Sequence, residues 1–304
     1  MRRFNNLDFT LRQLQYAVAV ADTGGFGSAA TACGVSQPSL SAQVAKLEHA
    51  LGLQLFERHA RATHITGAGR ELLPRMRVAL QAGQAVQQRA GLLVDPYGVT
   101  LKIGVIPTVA PYLLPRVVEL LMARTQAPRV HWLELQTNVC EQALEAGEID
   151  AMIIADSPSR PSFEHVDLGW EAFWVLVSEG DALRGPVDLA DVAERELLLL
   201  EHGHCLRDHT MALCMQPGAR ESAYRATSLA TLVQMVASGL GTSVIPASAI
   251  AVEVGRAKVR AEPFATTDVG RTLRLAWRSR TAHGLLLGEL ADLLRRGLAD
   301  STPG

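Results

Sequence analysis

The chain has four cysteines, Cys33, Cys140, Cys205 and Cys214. Only around the last two do the neighbouring residues suggest thiol chemistry. The run Glu201-His202-Gly203-His204-Cys205-Leu206-Arg207-Asp208 follows the apolar stretch 197–200. A strand, a glycine turn and then a helix place Cys205 close to a helix N-terminus, where free backbone N–H groups and the helix dipole favour a thiolate. His204 and Arg207 can add positive charge or hydrogen bonds, and Asp208 can hold Arg207 in place. A thiol whose pKa is lowered in this way is a better nucleophile toward peroxide at neutral pH. Cys214 comes nine positions later. If the segment is helical throughout, the two thiols are roughly 13 Å apart, whereas a disulfide needs Cα atoms within about 7 Å. Two readings stay open at this point. The pair is either two ordinary buried thiols on a lobe wall, or a switch in which oxidised Cys205 is attacked by Cys214 as the helix unravels. Cys140 and Cys33 read as packing residues. No CxxC occurs, so no structural zinc site is expected, and neither a metal nor a cofactor is implied.

These residues need a scaffold, and 304 residues with 48% hydrophobic and 20% charged side chains provide for at least two folded units. The composition excludes a mainly disordered chain. With 29 Lys+Arg against 31 Asp+Glu, the overall charge points to no nucleic-acid partner. The distribution is uneven, however: residues 1–95 hold 10 basic and 6 acidic side chains, the rest 19 and 25. The result is a mildly basic head on an acidic body. No apolar run is long enough to span a membrane, no secretory leader is expected, and the few cysteines fit a reducing cytoplasm.

Residues 10–95 read as helical almost throughout. Thr10 with Gln13 fits a capping box, and Leu11, Leu14, Ala17, Val18 and Ala21 recur at helical spacing. A short helix over 28–33 should stop at Gly34. Ser36 caps a third helix with Pro38 in its first turn. Leu55-Phe56 and His64-Ile65 suggest two small strands around a charged tip, followed by a long helix over 67–92. Gly24, Gly25 and Gly27 predict a loose connection between the first two helices. The pattern suggests a helix-turn-helix. Ser36, Gln37, Pro38, Ser39 and Ser41 open its recognition helix, Gln37 and Ser39 are placed to touch bases, and Arg58 in the wing is placed to touch a phosphate. A small helical domain with polar faces is the plainer alternative. Beyond residue 98, strands and helices alternate as in α/β layering.

The residues of the head carry a specific resemblance. Val35-Ser36-Gln37-Pro38-Ser39-Leu40-Ser41, Leu47-Glu48, Leu51-Gly52, Leu55-Phe56-Glu57-Arg58 and Thr66-x-Ala68-Gly69 resemble the winged helix-turn-helix of LysR-type transcriptional regulators, and the likeness covers essentially the whole chain. It implies an all-α winged helix-turn-helix head over 1–66 and a long linker (dimerisation) helix over 67–95. A two-lobed α/β effector module of periplasmic-binding-protein type follows over 99–304. The stretches IGVIPTVAPYLLP (103–115), LLLLEHGHCLRDHTMALC (197–214) and RATSLATLVQMVASGLGTSVIP (225–246) look like the peroxide-sensing members of that family. By that likeness Cys205 is the peroxidatic thiol and Cys214 resolves it, while Thr108, Thr137, His204, Arg207 and Asp208 form the peroxide pocket. Each threonine also reads as a helix N-cap.

The resemblance further implies control of antioxidant genes. Its partners would be double-stranded promoter DNA, RNA polymerase, hydrogen peroxide as effector and a thiol reductant for reset. The assembly would be a homotetramer, a dimer of dimers, with subunits paired through Leu72, Leu73, Met76, Ala79, Leu80 and Val86. The alternative is a LysR-type regulator that responds to a small organic ligand between the lobes; the Cys205/Cys214 pair with Arg207-Asp208 distinguishes the two. A peroxidase is a third class, and the DNA-reading head argues against an enzyme.

Overall fold

A computed structural model describes residues 7–59, 62–94, 97–214 and 220–299. The chain divides into two compact units, one up to Ala90 and the other from Gly91 onward. The first contains α1 (Leu11–Thr23), α2 (Phe26–Ala32), α3 (Gln37–Leu51), the hairpin β1 (Phe56–His59) and β2 (Ala62–Ile65), and most of α4 (Gly67–Val94). The capping box forms as the sequence suggests: the Gln13 amide donates to Thr10 Oγ1 at 3.3 Å and the Thr10 amide to Gln13 Oε1 at 2.8 Å. The glycines between α1 and α2 do not make a loose link. Gly24 closes α1 in the left-handed region (φ +73°) and Gly25 begins α2 in extended backbone, so the corner is tight. The second helix starts at Phe26, ahead of expectation, and the Phe26 ring packs edge-on against Phe56 at 5.8 Å.

Leu40, Val44 and Leu47 put one face of α3 into the head's core with Leu14, Ala17, Val20 and Leu55. The linker helix enters the same core. Leu73 and Met76 are buried in it, and Leu72, Ala79 and Leu80 pack against it. Leu73 and Met76 therefore close this subunit's own head, which corrects the expectation that they face a second subunit. Val78 and Val86, 63% and 71% exposed, remain as large apolar side chains on the outside of α4.

In the second unit β3 (Thr100–Val105), α5 (Ala110–Met122), β4 (Arg129–Glu134), α6 (Thr137–Ala146) and β5 (Ala151–Ile154) are followed by β6 (Phe163–Ser178), α7 (Leu189–Ala193) and β7 (Glu196–Leu200). Then come α8 (Cys205–Cys214), β8 (Arg220–Ala226), α9 (Leu229–Ala237), β9 (Ser243–Pro246), α10 (Ala247–Glu253), β10 (Val259–Pro263), β11 (Gly270–Arg278) and α11 (Gly284–Ala299). Seven strands form one sheet in the order β10-β6-β11-β5-β3-β4, with β9 also on β6; β7 and β8 pair separately. The 16-residue β6 joins two lobes. Its first part pairs with β11, and from Phe173 onward it pairs with β9 and β10. Each lobe has its own core, one around Ile103, Val105, Leu113, Ile153 and Leu287, the other around Phe173, Leu197, Leu206, Val233 and Ile245. Cys205 packs in the first core and Cys214 in the second, so α8 runs from one to the other.

One buried residue gives the second unit an acid limit. His283 is 1% exposed and neither ring nitrogen has a hydrogen-bond partner; Asp150 lies 3.8 Å away. Burial lowers its pKa against the attraction of Asp150, with Arg278 adding repulsion. Below the ordinary histidine value near 6.5 the unfolded chain takes up a proton that the folded chain resists, so stability is full above that value and falls as pH drops through it. Thermal melts between pH 7 and 5 are expected to show this loss, up to about 1.4 kcal/mol per pH unit for one proton. His283→Leu should reduce the slope, leaving the share of the likewise buried His204; an unchanged slope would contradict the assignment.

Candidate functional site

The head exposes the start of α3. Ser36 caps α3, accepting the Ser39 amide at 3.4 Å. Gln37, Pro38 and Ser39 are exposed and Ser41 is half-buried, as the buried stripe Leu40-Val44-Leu47 requires. Gln43 is tied back to Gln13 at 3.1 Å. Glu48 Oε1 accepts the amides of Leu55 and Phe56 at 2.8 and 3.1 Å, which fixes the hairpin to the end of α3. Arg58 lies in β1, paired with Thr63 of β2; its side chain lies outside the described residues.

The thiol site is built where β3, β4 and β7 end. Ile106, Pro107, Thr108, Gln136, Thr137, Gly203, His204 and Cys205 enclose a narrow void, about 140 Å³ of space between their atoms and too tight for a water-sized sphere. Gly203 makes the close approach possible: it sits at φ +96°, and a Cβ there would fall 2.5 Å from Gln136 Oε1. Neither threonine is a helix cap. Val109 precedes α5 and Gln136 precedes α6 in the cap positions. The buried Thr137 hydroxyl makes no hydrogen bond of normal geometry, yet it lies close enough to the Cys205 thiol to favour its charged form.

The electrostatics differ from the sequence-based expectation in three respects. Cys205 does open α8, but burial pushes its thiol up, against the opposing pull of Arg271, the Thr137 hydroxyl and the Leu206 amide. His204 brings no positive charge: it is 6% exposed, and burial lowers its pKa despite a hydrogen bond to the Thr227 backbone. Arg207 is also buried, but its guanidinium is held by Glu221 at 3.0 and 3.2 Å and by the Leu200 carbonyl at 3.2 Å. Asp208, exposed in the first turn of α8, does not hold it. Thr108, Thr137, His204 and Cys205 therefore come together around the void, while Arg207 and Asp208 lie outside its lining.

The cation at the site is Arg271, which sequence reasoning missed. Its side chain is fully buried. Nε donates to Glu171 Oε2 at 2.7 Å, Nη1 to Thr108 Oγ1 at 2.9 Å and Nη2 to the Thr108 carbonyl at 3.1 Å. The guanidinium stacks over the Phe173 ring at 5.7 Å, and Ser248 donates to the other Glu171 oxygen. A signal was present: along the strand 271–275, Arg271 shares parity with the apolar Leu273 and Leu275, which puts a guanidinium on the buried face.

Cys214 ends α8, fully buried, its thiol pushed up to about 11 by burial. All four cysteines are free. Ten helical residues separate the Cys205 and Cys214 ends by roughly 13 Å. Cys140 is fully buried, its thiol pushed up to about 12 mainly by burial, as a packing residue should be. Among the described residues no cluster of His, Cys, Asp or Glu is arranged to hold a metal, and no helix is long and apolar enough to cross a membrane.

Comparison with known proteins gives a consistent picture. Residues 11–70 match the family model described as bacterial regulatory helix-turn-helix protein, lysR family, and residues 97–299 match the LysR substrate binding domain. A probable hydrogen peroxide-inducible genes activator of Mycobacterium leprae is 37% identical over 289 residues, 94% of this chain and 93% of that protein. Among solved structures, a full-length OxyR variant from Pseudomonas aeruginosa aligns with TM-score 0.76 and 33% identity over 94% of this chain and 95% of that one. A Corynebacterium glutamicum OxyR variant described as H2O2-bound aligns with TM-score 0.66 and 31% identity, covering 98% and 95%.

Proposed function

The chain belongs to the lysR family of bacterial regulatory helix-turn-helix proteins, and from that premise we propose that it is a DNA-binding transcription regulator of antioxidant genes that senses hydrogen peroxide through Cys205. The observation that carries this reading is the setting of the thiol: Cys205 is buried at a tight void lined by Thr108, Thr137 and His204, with the fully buried Arg271 holding Thr108. The Cys205 thiolate attacks one peroxide oxygen, the O–O bond breaks, and the leaving hydroxide takes a proton to become water. Thr108, fixed by Arg271, and the unsatisfied Thr137 hydroxyl are placed to orient the peroxide, and the guanidinium offsets negative charge as it develops. Cys205 becomes a sulfenic acid. The Cys214 sulfur then attacks it, an S–S bond forms, the S–O bond breaks and water departs. The two ends of α8 cannot meet while the helix is intact, so closing the disulfide reshapes the segment 206–213. Arg207 and Asp208 move with it, and the Arg207–Glu221 pair is among the contacts at stake. A cellular dithiol restores the thiols.

In this reading the protein acts in the cytoplasm as a homotetramer, a dimer of dimers, on promoter DNA and signals to RNA polymerase. Paired heads multiply the modest affinity of a nearly neutral protein. Val86, with the neighbouring exposed Val78 of α4, is available for subunit contact, whereas Leu73 and Met76 are taken up by the head's own core. On DNA, Gln37 and Ser39 read base edges and Arg58 holds a phosphate. Gln37→Ala should relax preference at one or two base pairs, costing about 1–3 kcal/mol of discrimination. Arg58→Ala should weaken cognate and random DNA alike and lower the salt slope by about one. Footprinting of the reduced and the peroxide-treated protein tests the function as a whole: the protected length should change with peroxide and return with a dithiol. A footprint indifferent to peroxide but altered by an organic metabolite would favour the organic-ligand regulator.

A further inference from the structure

The segment that has to open for Cys205 and Cys214 to meet is tied down near its middle. His209, one turn after Cys205 on α8, places Nε2 2.8 Å from Asp156 Oδ1. Asp156 follows β5 in the first lobe, whereas the body of α8 packs on the second through Leu206 and Cys214. The His209 ring is 22% exposed and lies 5.9 Å from the ring of Phe173. Its Nδ1 is buried without a hydrogen-bond partner, so the imidazole's hydrogen bonding is directed at Asp156.

We propose that Asp156 and His209 form a latch that holds α8 helical in the dithiol state and must part before the Cys205–Cys214 disulfide can close. The proposal rests on the reading of these cysteines as a redox pair. Three further observations support it. The Asp156 carboxyl is held below the usual carboxylate range, first by its hydrogen bond from His209 and also by the charges of Arg271 and Arg274, so it stays an ionised acceptor. The latch spans the two lobes rather than two turns of one helix, so unwinding α8 breaks it outright. Asp156 also opposes a negative charge on Cys205, so the latch's acceptor and the reactive thiol share one electrostatic neighbourhood.

The latch favours the dithiol: because it is already broken when the disulfide closes, it slows the forward reaction and leaves the reverse rate unchanged. In the closing step the Cys214 sulfur displaces the sulfenic oxygen of Cys205, which leaves as water. The latch acts on this step and on the dithiol–disulfide equilibrium. Full-length protein carrying His209→Ala, Asp156→Ala or both is oxidised with stoichiometric peroxide. Sulfenic acid and disulfide are followed separately by rapid quench and mass spectrometry, and the final ratio is measured in glutathione redox buffers. Each single variant should close the disulfide about three- to tenfold faster after sulfenylation and shift the equilibrium toward the disulfide by a similar factor. A tenfold shift corresponds to a potential about 30 mV more negative. The double variant should go no further than the larger single effect, as expected for one shared contact. His209→Gln, whose amide can still donate to Asp156, should recover most of the wild-type behaviour. A general loss of packing would not give that rescue, and near-ultraviolet dichroism of the reduced variants identifies any that fail to fold. Closing rates and equilibria equal to wild type in His209→Ala and Asp156→Ala, or effects that add in the double variant, would overturn the latch while leaving the disulfide intact. Absence of a Cys205–Cys214 disulfide in the wild type would instead overturn the redox reading, and the latch with it.

Discussion

Arg271→Ala is expected to slow oxidation of Cys205 by peroxide about 100-fold, the scale of losing one preorganised charge or donor, and to destabilise the fold by about 3–5 kcal/mol. The first effect follows from Arg271 being the leading influence that pulls the Cys205 thiol down against burial and the group that fixes Thr108. The second follows from Glu171, which is fully buried and would lose its ion partner while keeping only the Ser248 hydroxyl. The two effects separate in stopped-flow oxidation read beside thermal unfolding. Arg271→Lys keeps a charge but cannot fork between Glu171 and Thr108; it should fall between wild type and Arg271→Ala in both. Because the resting thiol is pushed up, the wild-type rate should also climb with pH across roughly 7–9 as the thiolate fraction grows. An Arg271→Ala protein that oxidises at the wild-type rate would remove Arg271 from the site's chemistry.

Cys205→Ser should erase the peroxide response of the DNA footprint altogether, because no thiolate remains to attack. Cys214→Ser should behave differently. Its Cys205 should react with peroxide at close to the wild-type rate, since Cys214 sits in the other lobe's core and does not line the void. The product, however, is a sulfenic acid with no resolving partner. It should persist, trap with dimedone, and leave the footprint in its reduced form or revert slowly. If Cys205→Ser still altered its footprint with peroxide, another residue would be the sensor.

Much of this molecule can be read from its residues, for identifiable reasons. Head elements with local signatures stand close to where the sequence puts them. The Thr10–Gln13 box, the Ser36 cap with Pro38 and the apolar strands around Ile103 and Leu199 all depend on neighbours within a few positions. The first half of β6 escaped because Glu164, His165, Asp167 and Glu171 interrupt its apolar residues; tertiary pairing with β11 makes it a strand. The site divides in the same way. Cys205 and Cys214 at the two ends of one helix follow from local sequence. The charge beside Cys205 does not: Arg271 is 66 positions away, and only the sheet brings it to Thr108 and Glu171. Arg207, adjacent in sequence, looked like the cation but is bound to Glu221. A local motif names the thiol, whereas the field around it is set by contacts distant in sequence.

The most direct test of the central claim is a mass map of all four thiols in the reduced full-length protein after one equivalent of hydrogen peroxide. A Cys205–Cys214 disulfide is predicted, with Cys33 and Cys140 still reduced. Oxidation appearing first at Cys33 or Cys140, with Cys205 unmodified, would contradict the peroxide-sensing assignment.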